Sequence, residues 1–288
     1  MPDSPLILGT RGSKLAVTQS QQVADAITER TGRPVRLEII RTRGDKIQDR
    51  PLAAVGGKGL FTAELEAALN DGSIDLAVHS LKDLPTEDAP GLMLGAIPLR
   101  QDPRDVIAGR RLEDLPAGSV VGTGSLRRRT QLAELRPDLE LRDIRGNVDT
   151  RLAKRDRGDY DATILAMAGL RRLGIEREDL YPLSIETMVP AVGQGALAVQ
   201  CRAGDRVVLD LLASIEDAVT RRCIDAERAF LTAIGGGCNV PVAAHVVVGP
   251  DGQLHGVAVG PVASGLRRVR LQDSDPVRLG QALAASLG

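Results

Sequence analysis

The chain has 288 residues, enough for two or three domains with separate cores, and its 43% hydrophobic and 26% charged content is that of a globular protein. A formal net charge of −1 and an aromatic content of 1% exclude a general nucleic-acid binder, which needs a basic surplus and stacking platforms. Without a long apolar run or a basic-then-apolar opening, and with Cys201, Cys223 and Cys238 forming no metal-ligand pattern with His79, His245 or His255, the sequence reads as cytoplasmic, reduced and metal-free.

In chain order, Leu6–Gly9 reads as a strand and Ser13 to Arg30 as a helix with Ala16, Val23 and Ile27 on one face. Val35, Leu37 and Ile39 alternate as in a strand, and Leu60 to Leu69 has helical spacing ending at Asp71-Gly72. Ile74–Val78 is a strand running directly into His79-Ser80-Leu81-Lys82-Asp83. This alternation predicts a largely parallel sheet covered by helices, with ligands bound at the carboxyl ends of strands, where Arg11 and Asp83 fall. Pro98 to Pro103 reads as a linker. A second α/β unit follows: strand Ser119–Gly122, helix Ser125–Leu135, strand Leu139–Ile144, helix Val148–Arg157 and strand Ala162–Ala166. Gly195–Gln200 is one more buried strand, returning to the first sheet. From Asp217 the character changes to a long helix, Ala218 to Ile234, then strands Ala243–Val248 and Leu254–Val259 about a Pro250-Asp251-Gly252 turn. Arg267–Leu271 and Val277–Leu287 complete a small antiparallel α+β domain, and no internal repeat is visible in the sequence.

Four segments carry candidate chemistry. Gly56-Gly57-Lys58-Gly59 lacks the spacing of a phosphate loop, so a nucleotide-dependent transferase fails there; a glycine loop presenting Lys58, or a plain turn, remains. Thr123-Gly124-Ser125-Leu126-Arg127-Arg128 starts a helix with adjacent arginines, whose charges oppose the helix dipole; an anionic ligand would offset that cost, and a solvated basic face is the alternative. Asp83, in a loop at a strand end, can orient an N–H donor or stabilise a developing cation, or can be a surface acid. Cys238 follows three glycines that let the backbone bend sharply, so it is an attachment point, a nucleophile or an inert thiol. Cys201 and Cys223 sit in apolar patterns and read as packing residues.

These segments, in this order, resemble the porphobilinogen deaminase family. The matching pieces are Gly-Thr-Arg-Gly-Ser-Lys-Leu-Ala (9–16), Arg-Thr-Arg-Gly-Asp (41–45), Val-Gly-Gly-Lys-Gly-Leu-Phe (55–61) and Ala-Val-His-Ser-Leu-Lys-Asp-Leu-Pro (77–85). Further on are Gly-Thr-Gly-Ser-Leu-Arg-Arg (122–128), Arg-Gly-Asn-Val-Asp-Thr-Arg-Leu (145–152), the run 160–173, Gly-Gln-Gly-Ala-Leu (193–197) and Gly-Gly-Gly-Cys-Asn-Val-Pro (235–241).

The resemblance implies an α/β enzyme with two periplasmic-binding-protein-like lobes, 1–98 with 194–216 and 99–193, plus a small α+β C-terminal domain, 217–288, with an antiparallel sheet. It implies a dipyrromethane cofactor joined by a thioether to Cys238, held by Thr123, Ser125, Arg127, Arg128, Lys82 and Asp83. Porphobilinogen would be bound by Arg11, Ser13, Lys58, Arg145, Arg151 and Arg172, since every ring carries an acetate and a propionate suited to arginine forks. Asp83 would stabilise the cation left when ammonia departs, with Lys82 orienting it. The family further implies a cytoplasmic monomer with no nucleic-acid, membrane or metal partner. Two positions depart from its pattern: Ala54 where a basic residue is usual, and Gly124 in place of a serine. The rival reading is a non-catalytic two-lobed binding protein for small anions, which would not need Cys238 in a glycine loop.

Overall fold

The computed structural model describes residues 4–42, 62–235, 240–263 and 265–288, which form two compact units, 1–101 with 196–221 and 102–195 with 222–288. In the first unit β1 (Leu6–Thr10) leads to α1 (Lys14–Thr31), β2 (Val35–Ile39), α2 (Ala63–Asn70), β3 (Leu76–Ser80), a 3-10 turn over Leu81–Asp83 and β4 (Leu92–Ala96). Side chains alternate along β1. Leu6 and Leu8 point into a core with Val23, Ala24 and Ile27 of α1, while Ile7 packs on the opposite face with Leu65 and Leu69 of α2. Ser13 caps α1 by accepting from the Ala16 N–H at 3.3 Å, and Gly32 closes it in the left-handed conformation, φ 71°. The buried face of α1 carries polar Gln19 and Ser20 as well as Val23 and Ile27, whereas Ala16 is only half-buried.

The second unit contains β5 (Asp105–Ala108), β6 (Val120–Gly122), α3 (Leu126–Leu135), β7 (Glu140–Arg142), α4 (Val148–Asp156), β8 (Ala162–Ala166), α5 (Met167–Arg172) and β9 (Leu180–Pro182). Then β10 (Leu197–Arg202) and α6 (Arg206–Ala213) return to the first unit. The first sheet has the order β2-β1-β3-β10-β4 and the second β7-β6-β8-β5-β9. In each, the fourth strand in that order runs against its two neighbours, and the first three are mutually parallel. The sheets are therefore mixed rather than simply parallel, and the two share one arrangement of strand directions, although the fourth strand comes last in the chain in the first sheet and first in the second. Strands β4, β5 and β9, of three to five residues, are absent from the sequence reading.

The long helix α7 (Ala218–Ala233) precedes an antiparallel sheet of β11 (Ala243–Val248), β12 (Leu254–Val262) and β13 (Gly265–Asp273), followed by α8 (Pro276–Ala285). Cys223, Ala226 and Phe230 of α7 share one core with Ala244, Val246, Leu254 and Ala258 of the sheet and Leu279 and Leu283 of α8. A side chain at Gly280 would meet the backbone of Ala226 and Phe230, so glycine there permits the close helix crossing. No helix among the described residues is long and apolar enough to cross a membrane.

Candidate functional site

In the first unit β1 and β3 are adjacent and parallel, which puts their carboxyl ends on one edge of the sheet. Arg11 follows β1 directly and is half-buried. Strand β3 runs two residues beyond its expected end at Val78, because His79 and Ser80 pair with Ala198 and Leu197 of β10, and their side chains find partners on opposite faces. His79 Nε2 lies 3.1 Å from Gln200 Oε1, and Ser80 Oγ accepts from Gln19 Nε2 at 2.9 Å. Since an amide oxygen only accepts, Nε2 carries the imidazole proton and donates. Burial pushes the His79 imidazole down to about 4, with the Arg11 charge acting in the same direction against the Gln200 hydrogen bond. It is therefore neutral at neutral pH.

Directly after this clamped strand end comes the turn that carries Lys82 and Asp83. The Leu81 N–H donates to Ala196 O at 3.1 Å, the Leu84 N–H closes on Leu81 O at 3.1 Å, and the Leu81 side chain is buried. Pinned in this way, the turn leaves Lys82 half-buried and the Asp83 carboxylate exposed. Ser13 follows Arg11 by two residues, and its hydroxyl is engaged in capping α1.

In the second unit the parallel trio is β7-β6-β8, and the remaining sequence-predicted residues follow its carboxyl ends. Thr123 is buried just past β6, and its Oγ1 accepts from the Ser125 N–H at 3.3 Å. Ser125 caps α3 by accepting from the Arg128 N–H at 3.4 Å. Arg127 and Arg128 are each only 6% exposed, and the charge that offsets theirs within the protein is Asp105, which is 0% exposed at the start of β5. Arg127 Nη1 donates to Asp105 Oδ2 at 2.7 Å, and Arg128 Nη2 donates to Oδ1 at 2.8 Å. Arg127 also reaches Val189 O at 2.7 Å and Arg128 reaches Ile164 O at 2.9 Å. Burial alone would raise the Asp105 pKa, but the two guanidiniums overcome it and hold the carboxyl below the usual range. Sequence reasoning missed Asp105; an acid at the head of the wholly apolar run Val106-Ile107-Ala108 was the available signal.

Arg145 is half-buried in the loop after β7, its carbonyl accepting from Lys154 Nζ at 3.1 Å. On α4, Arg151 Nε donates to Gly146 O at 2.8 Å. Arg172 ends α5 and donates through Nη2 to Gly195 O at 2.8 Å. Its Nε is buried without a hydrogen-bond partner among the described residues, and burial pushes its pKa down to about 10, leaving it cationic at neutral pH. A buried guanidinium donor without an acceptor is suited to a ligand carboxylate. At Gly124 an added Cβ would lie 3.3 Å from Ile144 O, so this departure coincides with a tight spot.

Lys58, Ala54 and Cys238 lie outside the described residues. The approach to Cys238 is described: α7 ends at Ala233, and Gly235, φ 68°, hydrogen-bonds back to Thr232 O at 3.1 Å. A buried carboxylate, Glu227, anchors this helix, accepting from the Gly193 N–H at 2.8 Å and the Val246 N–H at 2.9 Å. His245 Nδ1 is 3.3 Å from Glu227 Oε1 but outside hydrogen-bonding geometry. Cys201 and Cys223 are buried in the cores, and burial lifts the Cys201 thiol to about 11. Among the described residues no group of three or more His, Cys, Asp or Glu could hold a metal ion.

In these mixed α/β sheets cationic and acidic residues follow the carboxyl ends of the parallel strands, the edge at which such sheets bind ligands. Residues 6–210 match the model of the porphobilinogen deaminase dipyromethane cofactor binding domain, and residues 221–288 that of the porphobilinogen deaminase C-terminal domain. Porphobilinogen deaminase of Roseiflexus castenholzii is 50% identical over 98% of this chain and 95% of its own length. That of Brevibacillus brevis is 46% identical over 97% and 93%. Among solved structures, the periplasmic VFT2 domain of Bordetella pertussis BvgS is similar with a TM-score of 0.42 at 14% identity, covering 74% of this chain and 86% of that one. The chain belongs to the porphobilinogen deaminase family, whose enzymes act in tetrapyrrole biosynthesis with a dipyrromethane cofactor. A purely anion-binding role is not favoured.

Proposed function

We propose that this chain deaminates porphobilinogen and joins four molecules head to tail into hydroxymethylbilane (preuroporphyrinogen), releasing ammonia, on a dipyrromethane carried by Cys238. The observation that carries this reading is the placement of Asp83: an exposed carboxylate on a turn fixed at Leu81 and Leu84, immediately after a strand clamped on both faces. Such a carboxylate holds pyrrole N–H groups, stabilises the cation formed as the substrate loses ammonia, and accepts the proton lost on coupling. Lys82 orients it. The cofactor, when bound, supplies the nucleophilic pyrrole carbon from which the chain grows.

The residues present suit such a group. Thr123, Ser125, Arg127 and Arg128 gather at one helix start, where its carboxylates are welcome, while the buried Nε of Arg172, without a hydrogen-bond partner among the described residues, suits a carboxylate of porphobilinogen. We assign Arg127, Arg128, Ser125, Thr123, Lys82 and Asp83 to the cofactor, and Arg11, Ser13, Lys58, Arg145, Arg151 and Arg172 to porphobilinogen. Three sheets support the three-domain division 1–98 with 194–216, 99–193 and 217–288. The family resemblance supports a cytoplasmic monomer working without metal, membrane or nucleic acid.

The test is the mass of the intact denatured protein. The wild type exceeds its sequence mass by one dipyrromethane, Cys201→Ala and Cys223→Ala keep the adduct, and Cys238→Ala loses both adduct and activity. An adduct persisting in Cys238→Ala refutes the attachment.

A further inference from the structure

The Asp105 carboxylate of β5 is shared by two other segments of the second unit, α3 and the stretch 189–195. Its Oδ1 accepts from Arg128 Nη2 at 2.8 Å, Gln194 Nε2 at 2.9 Å, Arg128 Nε at 3.1 Å and Arg127 Nη2 at 3.3 Å, while Oδ2 accepts from Arg127 Nη1. Gln194 also donates to Pro103 O at 2.7 Å, which ties the 189–195 segment to the head of β5. Gln131 of α3 holds the same segment from its other end, donating to Val189 O at 3.0 Å and accepting from the Val189 N–H at 2.9 Å. The side chains of Arg127 and Arg128 are each 7% exposed and that of Asp105 0%. Two cations and one anion therefore stand in a poorly solvated place, where each unit of charge acts strongly.

A guanidinium has five N–H groups. Asp105, Val189 O and Ile164 O take three on each arginine, leaving two on each for a further acceptor. The pair thus retains donors to offer while half of its charge is already neutralised. This matters for a site that must grip carboxylates and also let a lengthening chain pass. An uncompensated double charge would hold each carboxylate harder than turnover tolerates, and a neutral cluster would not hold it.

We propose that Asp105 and Gln194 are positioning residues that set the arginine pair at a net single positive charge, Asp105 by supplying one anion and Gln194 by bonding to it without adding a second. The proposal rests on the reading that Arg127 and Arg128 hold pyrrole carboxylates, those of the cofactor and, beside them, those of the ring being added, so that their charge also enters the KM for porphobilinogen.

The test uses two substitutions of opposite electrostatic sign in the holoenzyme, with loading checked by intact mass. Asp105→Asn removes the anion and is expected to lower KM for porphobilinogen about tenfold while kcat falls, because release slows. Gln194→Glu adds an anion beside Asp105 and is expected to raise KM about tenfold and to flatten its dependence on salt. A merely structural role moves both KM values the same way, or neither, and leaves the salt dependence alone; either result overturns the proposal, as does a folded Asp105→Asn without adduct. Should Asp105→Asn not fold, Gln194→Glu decides alone, and a KM within about twofold of wild type with unchanged salt dependence overturns it. A wild type lacking the dipyrromethane mass would instead remove the functional reading beneath it.

Discussion

Replacing Glu227 with Gln is the sharpest probe of how the cysteine-bearing end of the molecule is held. The carboxylate is 0% exposed and its two oxygens receive separate backbone donors, Gly193 N–H at 2.8 Å and Val246 N–H at 2.9 Å. An amide of the same size has a single acceptor oxygen, so one backbone N–H keeps its partner and the other meets an NH2 group. The loss is one charge-assisted hydrogen bond, about 1.5–3 kcal/mol, plus about 1–3 kcal/mol for the buried donor left unsatisfied. Together these come to about 2.5–6 kcal/mol. At roughly 2–4 °C per kcal/mol for a domain of 150–250 residues, the melting temperature should fall by about 10 °C. Far-UV circular dichroism at low temperature should stay native, and calorimetry reads the shift. A drop under about 3 °C would show that Glu227 is not the anchor described here, since neither backbone donor would then depend on its charge.

Two further outcomes concern the first unit. Asp83→Asn keeps size and hydrogen-bonding capacity but loses the charge that stabilises the substrate cation, so turnover should fall about a hundred- to a thousandfold, with the adduct still visible by mass; near-normal turnover excludes the assigned role. His79 titrates near 4 in the folded protein, below the 6.5 of an unperturbed imidazole, so the fold favours the neutral form. The stability this contributes is present above pH 6.5 and is lost as pH falls toward 4, about 3 kcal/mol across that window. His79→Gln should therefore show a correspondingly flatter acid limb in denaturant unfolding between pH 7 and 4, and parallel curves for the two proteins contradict the assignment.

The local signals in this chain were strong, and they were the ones that depend on a few neighbouring residues. Ser13 and Ser125 mark helix starts, Gly32 and Gly72 lie past helix ends, and Pro250-Asp251-Gly252 stands between two strands that pair in register. The boundaries of β8 and β11 coincide with those of the short apolar runs read as strands in the sequence. The family, too, was legible, since its motifs are short segments whose order along the chain is itself the evidence.

What the sequence could not disclose was which charges meet. Adjacent arginines at a helix start looked like a vacancy for an anion, yet the chain itself brings Asp105 to them from 22 and 23 residues upstream, and Gln194 to Asp105 from 89 residues downstream. His79 likewise acquires its neutral state from burial between sheet neighbours, with the Arg11 charge acting in the same direction, against the hydrogen bond to Gln200, 121 residues away. Periodicity reports how one segment divides its surface between core and solvent, so it determined the helices, most strands and the residues at their ends. Ion pairing and desolvation depend on distances between segments remote in the chain, and those are decided only when the strands assemble in the order β2-β1-β3-β10-β4 and β7-β6-β8-β5-β9.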